Sequence, residues 1–238
     1  LPCYSKRPDG EKAEDFGKLC GDQHISGLRN PNALLKKPLT LDEYLGARLV
    51  ADPLRLFDCV MPCAGADAFL VMSEERARRL GLRHARLTGA IERHNAYPDD
   101  PVQHRGGWAM DRDQLYAAAG IGPVDIDVLE VYDDYPVVCV FQIEDLGFCA
   151  KGEGPEFIRR HSFEANGSFP FNTSGGQLSV GQAGAAGGTL GLVEAIRQVT
   201  EQAIGAQVDN ARHALVSGYG MINFDRGLCS GAAILAAT

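Results

Sequence analysis

The chain has 238 residues, 45% hydrophobic and 23% charged, with a formal net charge of −8 and a pI near 5.2. This is the balance of a globular protein with apolar material for a sizeable core, in one large domain or two small ones. The acidic balance argues against non-specific nucleic-acid binding, which neutralises phosphates with basic residues, but leaves room for an anionic ligand at a local basic patch.

Residues 1–40 are polar and broken by prolines. Thr40 then caps a short connector helix over Asp42–Leu49, with Asp42 and Glu43 in its first turn. Ala68–Met72 is an apolar strand. Ser73 caps a helix that runs to Leu80 and ends at Gly81. His84–Arg93 alternates weakly and predicts a strand, and Pro98–Gly107 is a loop of turn formers. Asp111–Gly120 has helical composition and a terminal glycine. Val124–Val131 is a strand; Pro136–Asp145 fits either strand or helix and stops at Gly147. Leu190, Val193, Ile196, Val199 and Ile204 recur near a 3.6 period, which predicts a long helix over Gly184–Ile204. Ala214–Ser217 and Ala232–Ala236 are strands flanking a loop. Strands alternating with helices predict an α/β sandwich.

The seven cysteines are odd in number and irregularly spaced, which favours a reducing, cytoplasmic compartment over a disulfide framework. Cys59 and Cys63 have C-x3-C spacing, but no second Cys/His pair follows at zinc spacing, so no metal site is expected. No apolar run reaches the ~20 residues of a membrane span, and no apolar stretch follows Lys6, Arg7 and Lys12 to make a signal peptide. The start at Leu1 reads as a fragment.

Four segments carry candidate chemistry. Leu129–Pro136 runs a strand into Tyr132, Asp133, Asp134 and Tyr135, and polar groups at strand ends often line a cleft. Asn172–Gly188 is dense in glycine and alanine, allowing close backbone approach to a neighbour or ligand. It lacks the Gly-Lys-Ser/Thr of a phosphate loop. Val216–Gly220 ends a strand in Tyr219 between two glycines. Gly227–Ala233 places Cys229 beside a glycine turn, where a small buried side chain is the commoner explanation than a reactive thiol. The six histidines form no motif.

Taken in order, these segments resemble the thiolase superfamily, in the branch related to sterol-carrier-protein thiolases. Asn30–Ala33, Leu39–Glu43 and Val50–Leu54 are similar to the family's linker. Ala64–Ala68 with Ser73–Ala77 resembles the strand and helix after it. Tyr132 stands where these enzymes have the histidine of Glu-Val-His-Asp, and Asn172–Gly188 matches the loop that normally centres on Gly-His-Pro, here Gly181-Gln182-Ala183.

The resemblance implies the layered αβαβα thiolase fold, lacking roughly the first β-α-β stretch, which carries the family's nucleophilic cysteine. Neither Cys3 nor Cys20 is given that role. It divides the chain into the remainder of an N-terminal half (1–123) and a C-terminal half (124–238). A glutamine donates a hydrogen bond but is no base near pH 7, so ordinary thiolysis is disfavoured. The tyrosine-rich pattern resembles the bacterial thiolase-like aldolases of steroid side-chain degradation. That implies retro-aldol cleavage of a β-hydroxyacyl-CoA without a covalent acyl-enzyme or cofactor. Implied partners are the acyl-CoA substrate, a second copy in a homodimer, and a small OB-fold, zinc-ribbon protein completing a heterotetramer. Implied catalytic roles fall to Tyr132 and Tyr219 as base and proton donor, with Asp133 or Asp134 beside them and Cys229 as a weaker acid. Substrate contacts would come from Gly181, Gln182 and Gly184 as an oxyanion pocket, with Asn172, Gly176 and Tyr135. Two alternatives remain: a thiolase using a cysteine outside this chain, and a non-catalytic acyl-CoA-binding subunit.

Overall fold

The computed structural model describes residues 12–223 and 226–238; Cys3, Lys6 and Arg7 lie outside them. In chain order the elements are α1 (Ala13–Arg29), α2 (Leu41–Gly46), β1 (Leu49–Ala51), β2 (Leu54–Arg55), α3 (Glu74–Arg79), β3 (Arg86–His94) and α4 (Trp108–Ala119). There follow β4 (Val128–Val131), α5 (Pro136–Asp145), α6 (Gly154–Arg160), α7 (Gly176–Val180), α8 (Leu190–Val199), β5 (His213–Asn223) and β6 (Arg226–Ala236).

The centre is a four-stranded sheet in the order β3-β6-β5-β4, antiparallel except where β5 runs parallel to β4. A single parallel bridge from Leu129 to Phe171 extends it past β4. Alternate residues of each strand face opposite ways. Leu215, Ala232 and Ile234 join Leu115 of α4, Ile143 of α5 and Ile158 of α6 in one core, which Leu19 of α1 also enters. Ala214, Val216 and Leu235 pack with Ala195 and Val199 of α8 on the other face. The result is helix, sheet, helix, with the C-terminal ends of β4 and β5 opening together.

Several elements differ from the sequence expectation, each for a physical reason. α1 forms where polarity hid it: the stretch between Pro8 and Pro31 is free of proline, Asp15 accepts from the Lys12 amide at 2.9 Å, and Gln23, His24 and Ser26 share the buried face with Leu19. Ala68–Met72 is not a strand. No described strand pairs with it, and Leu70 and Val71 are 83% and 87% exposed. Pro123 starts a 3-10 turn, so β4 begins only at Val128. The long helix over Gly184–Ile204 divides, because Gly184, Gly187 and Gly188 give a 3-10 turn before α8. The loop expected between Ser217 and Ala232 is mostly hairpin, since β5 and β6 pair as far as Asn223 and Arg226. Pro136–Asp145 resolves to helix, with Pro136 at its first position. The sheet also crosses the expected division at residue 123, because β3 pairs along its length with β6.

Candidate active site

The site is built where β4 ends. The Tyr132 amide donates to Ser217 O at 3.1 Å, continuing the parallel ladder one step beyond the strand. It also reaches Gln142 Oε1 at 3.2 Å, while Gln142 Nε2 donates back to Tyr132 O at 2.7 Å. Ser217 Oγ donates to the same Gln142 oxygen at 2.7 Å. Gln142, fully buried in α5, therefore fixes the Tyr132 peptide from both sides. On the neighbouring segment, Asn172 Oδ1 accepts from Val131 N at 2.8 Å, and Asn172 holds the left-handed φ of 42° that asparagine tolerates.

Gln182 Nε2 donates to the Tyr132 hydroxyl at 2.9 Å and to Asp134 Oδ1 at 3.1 Å. Tyr132 and Asp134 are thus linked through one amide, and the Tyr132 oxygen, as acceptor, keeps its own proton for a second partner. Burial first, then the charges of Asp134 and Asp133, push the Tyr132 phenol up to about 12. Burial also raises the Asp134 carboxyl above the ordinary carboxylate range, against the Gln182 hydrogen bond that lowers it. Tyr135, half-buried at the N-cap of α5, is raised by burial and by Asp134. Gln182 is held by an element that the sequence reading did not connect to it: its amide donates to Met61 O at 2.8 Å and its carbonyl accepts from Cys63 N at 3.0 Å. The C-x3-C segment is a wall of this site. Burial and Asp58 raise the Cys59 thiol, which makes it a poor thiolate.

Asp133 turns the other way. Its carboxylate, 1% exposed, accepts from Gln177 N at 2.9 Å, Leu178 N at 3.2 Å and Gln23 Nε2 at 2.8 Å. It takes up the otherwise unsatisfied first-turn amides of α7 and binds that helix to α1, so it is a structural group beneath the site. Gly176 serves the same junction: with φ at 60°, a methyl group there would run into Asp133 and Gln23. The Gly181 amide donates to Gln177 O at 3.0 Å. With the Gln182 amide also engaged, two of the amides expected in an oxyanion pocket are spent inside the fold, and Gly184 is exposed at the start of the 3-10 turn. What Gln182 offers is its side chain.

Tyr219 lies two residues beyond Ser217, at the same end of the sheet, but in a separate hydrogen-bond pair. Its hydroxyl donates to Gln103 Oε1 at 2.6 Å and accepts from Gly227 N at 2.8 Å, and its ring packs on Trp108. Burial raises its phenol as well. Cys229 is elsewhere: its sulfur is 3.9 Å from His94 Nε2, and burial, then Glu92, raises the thiol. Behind the site, Thr173 Oγ1 is 2.8 Å from Glu130 Oε1 and 3.0 Å from Glu194 Oε1. One hydroxyl has one proton to give, so it donates to one of the two carboxyls at a time; burial, then Glu194, pushes Glu130 well up.

Sequence reasoning missed Gln142, Ser217 and Met61–Cys63. The one linear signal was Gln142 as a lone amide in the apolar run Pro136–Ile143.

The sequence profile described as thiolase C-terminal domain-like matches residues 99–229, which hold β4, β5 and the Gln182 loop between them. The chain belongs to that family. It is 33% identical over 220 residues to the steroid side-chain-cleaving aldolase of Thermomonospora curvata, covering 89% of this chain and 56% of that one. It is 32% identical over 203 residues to the benzoylsuccinyl-CoA thiolase subunit BbsB of Thauera aromatica, covering 84% and 53%. Among solved structures, the Ltp2-ChsH2(DUF35) aldolase superposes with a TM-score of 0.77 at 30% identity, over 95% of this chain and 59% of that one. The chain thus spans a little over half the length of these two curated relatives. No described helix is long and apolar enough to cross a membrane.

Proposed function

We propose that the protein cleaves a β-hydroxyacyl-CoA, with a steroid side chain as substrate class, by a retro-aldol reaction. The observation that carries this is the Gln182 amide bonded to both Tyr132 and Asp134. An amide in the loop where the family places an imidazole activates no cysteine, yet it orients a phenol and a carboxylate at one strand end. Asp134 takes the proton of the β-hydroxyl. The Cα–Cβ bond breaks as that carbon becomes a ketone, and the electron pair passes into the thioester enolate. The Tyr132 hydroxyl donates to the enolate oxygen, where a positioned donor counts most. Tyr219 delivers a proton to Cα and regains one from solvent, to which Asp134 releases the proton it took. Tyr132 and Tyr219 act as donors rather than bases, because raised phenols stay protonated at neutral pH. The likeness to the Thermomonospora curvata aldolase and to a complex with a DUF35 protein supports the reading, with a small OB-fold, zinc-ribbon partner as the second subunit.

The test is product analysis. The protein with that partner is incubated with a β-hydroxy steroid acyl-CoA, and the shorter acyl-CoA and ketosteroid are quantified. Release of both without free CoA, and with no mass shift from an acyl-enzyme, is expected. CoA-dependent thiolysis of a β-ketoacyl-CoA would instead favour the thiolase reading suggested by the Thauera aromatica relative, and neither reaction would leave a binding subunit.

A further inference from the structure

Strand pairing creates a ligand cluster that linear spacing conceals. His94, the last residue of β3, lies directly opposite Cys229 of β6 in the antiparallel register, and Glu92 lies two residues earlier on the same face. One ligand atom from each of Glu92, His94 and Cys229 falls within 4.8 Å of the other two. The Cys229 sulfur is 3.9 Å from His94 Nε2, and that nitrogen is 2.5 Å from Glu92 Oε1. A tetrahedral zinc with Zn–S of about 2.3 Å and Zn–N of about 2.0 Å sets sulfur and nitrogen roughly 3.5 Å apart. Sulfur and nitrogen are therefore almost at ligand spacing, and the exposed Glu92 side chain has only to swing outward. Space is available too. The neighbours of these residues on the same face are glycines: Gly220 opposite Cys229, and Gly231 opposite Glu92. A Cβ on Gly220 would meet nothing within 4 Å.

We infer that Glu92, His94 and Cys229 bind one zinc ion, with water in the fourth position. A thiolate, an imidazole and a carboxylate are a donor set that suits zinc. Binding releases the Cys229 proton to solvent as the Zn–S bond forms. The ion staples β3 to β6 at the end of the sheet that carries the β5–β6 hairpin. This site is separate from the Gln182–Tyr132–Asp134 cluster and stands or falls independently of the proposed activity.

The experiment is titration of the chelator-stripped whole protein with Zn2+ by calorimetry, and with Co2+ by absorption. Expected are one equivalent bound at micromolar or tighter affinity, a thiolate-to-cobalt charge-transfer band in the near ultraviolet, and a higher melting temperature with zinc. Cys229→Ser should abolish the band, and both it and His94→Gln should weaken binding at least tenfold, with circular dichroism confirming that each variant is folded. A Co2+ complex without the thiolate band, binding only in the millimolar range, or affinity unchanged in both variants shows adventitious binding to an acidic surface and overturns the inference.

Discussion

Tyr132 and Asp134 owe their proposed roles to one shared cause, partial burial at a strand end, acting on groups of different ordinary pKa. The same desolvation makes the carboxyl a better proton acceptor and the phenol a more persistent donor. The pH dependence has a definite sign. The proposed activity needs Asp134 ionised and Tyr132 protonated, so kcat/KM should rise as pH climbs through a value above the ordinary 3.8 of aspartate. It should fall only at alkaline pH, above the ordinary 10 of a phenol, as the raised Tyr219 and Tyr132 hydroxyls lose their protons. Asp134→Asn should remove the acidic limb and lower kcat/KM by about 10²-fold or more, measured as a pH–rate profile on the β-hydroxyacyl-CoA. An acidic limb that persists in Asp134→Asn assigns the base elsewhere. Much of this cluster was legible in the sequence: Tyr132 and Gln182 stand out as replacements in a recognisable pattern. Their grouping with Asp134 rather than Asp133 was not, because adjacent residues after a strand point in different directions and only the packing of α7 decides which one is buried.

At the scale of elements, α7 is the support for the loop that leads into Gln182, and it is a helix of only 5 residues. Such a helix has little stability of its own. It is held by Asp133 through backbone amides of its first turn, and Asp133 in turn accepts from Gln23 of α1. Asp133→Ala should cost about 3 kcal/mol, since it strands buried donors in an apolar setting, read from chemical denaturation midpoints. A loss under about 0.5 kcal/mol, the range of ordinary surface changes, would show that α7 does not depend on this carboxylate. Helices with end signals, α2 and α3 with Thr40 and Ser73 as caps, were readable from residues alone. α1 was not, because its buried face is half polar. Its Gln23 donates to Asp133, 110 residues away.

At the scale of the molecule, the sheet explains why the candidate residues come from distant stretches. The parallel pair β4 and β5 brings the ends of both strands to one edge, and Asn172–Gly188 crosses that edge. The alternation of strands and helices revealed the fold class, and the ordered segments revealed the family. The strand register was hidden: it alone pairs His94 with Cys229 and takes the thiol away from Tyr132. The apolar run Ala68–Met72 shows the converse limit, since strand-like composition gives a strand only where a neighbour supplies hydrogen bonds. In the proposed reaction, proton transfer at the β4 end, with no cysteine nucleophile, breaks the carbon–carbon bond. The most direct measurement is kcat/KM for release of the shorter acyl-CoA by Tyr132→Phe, which keeps the ring and removes only the hydroxyl. A loss of about 10²-fold or more with the fold intact is expected; release at the unsubstituted rate would rule out the Tyr132 hydroxyl as the donor to the enolate.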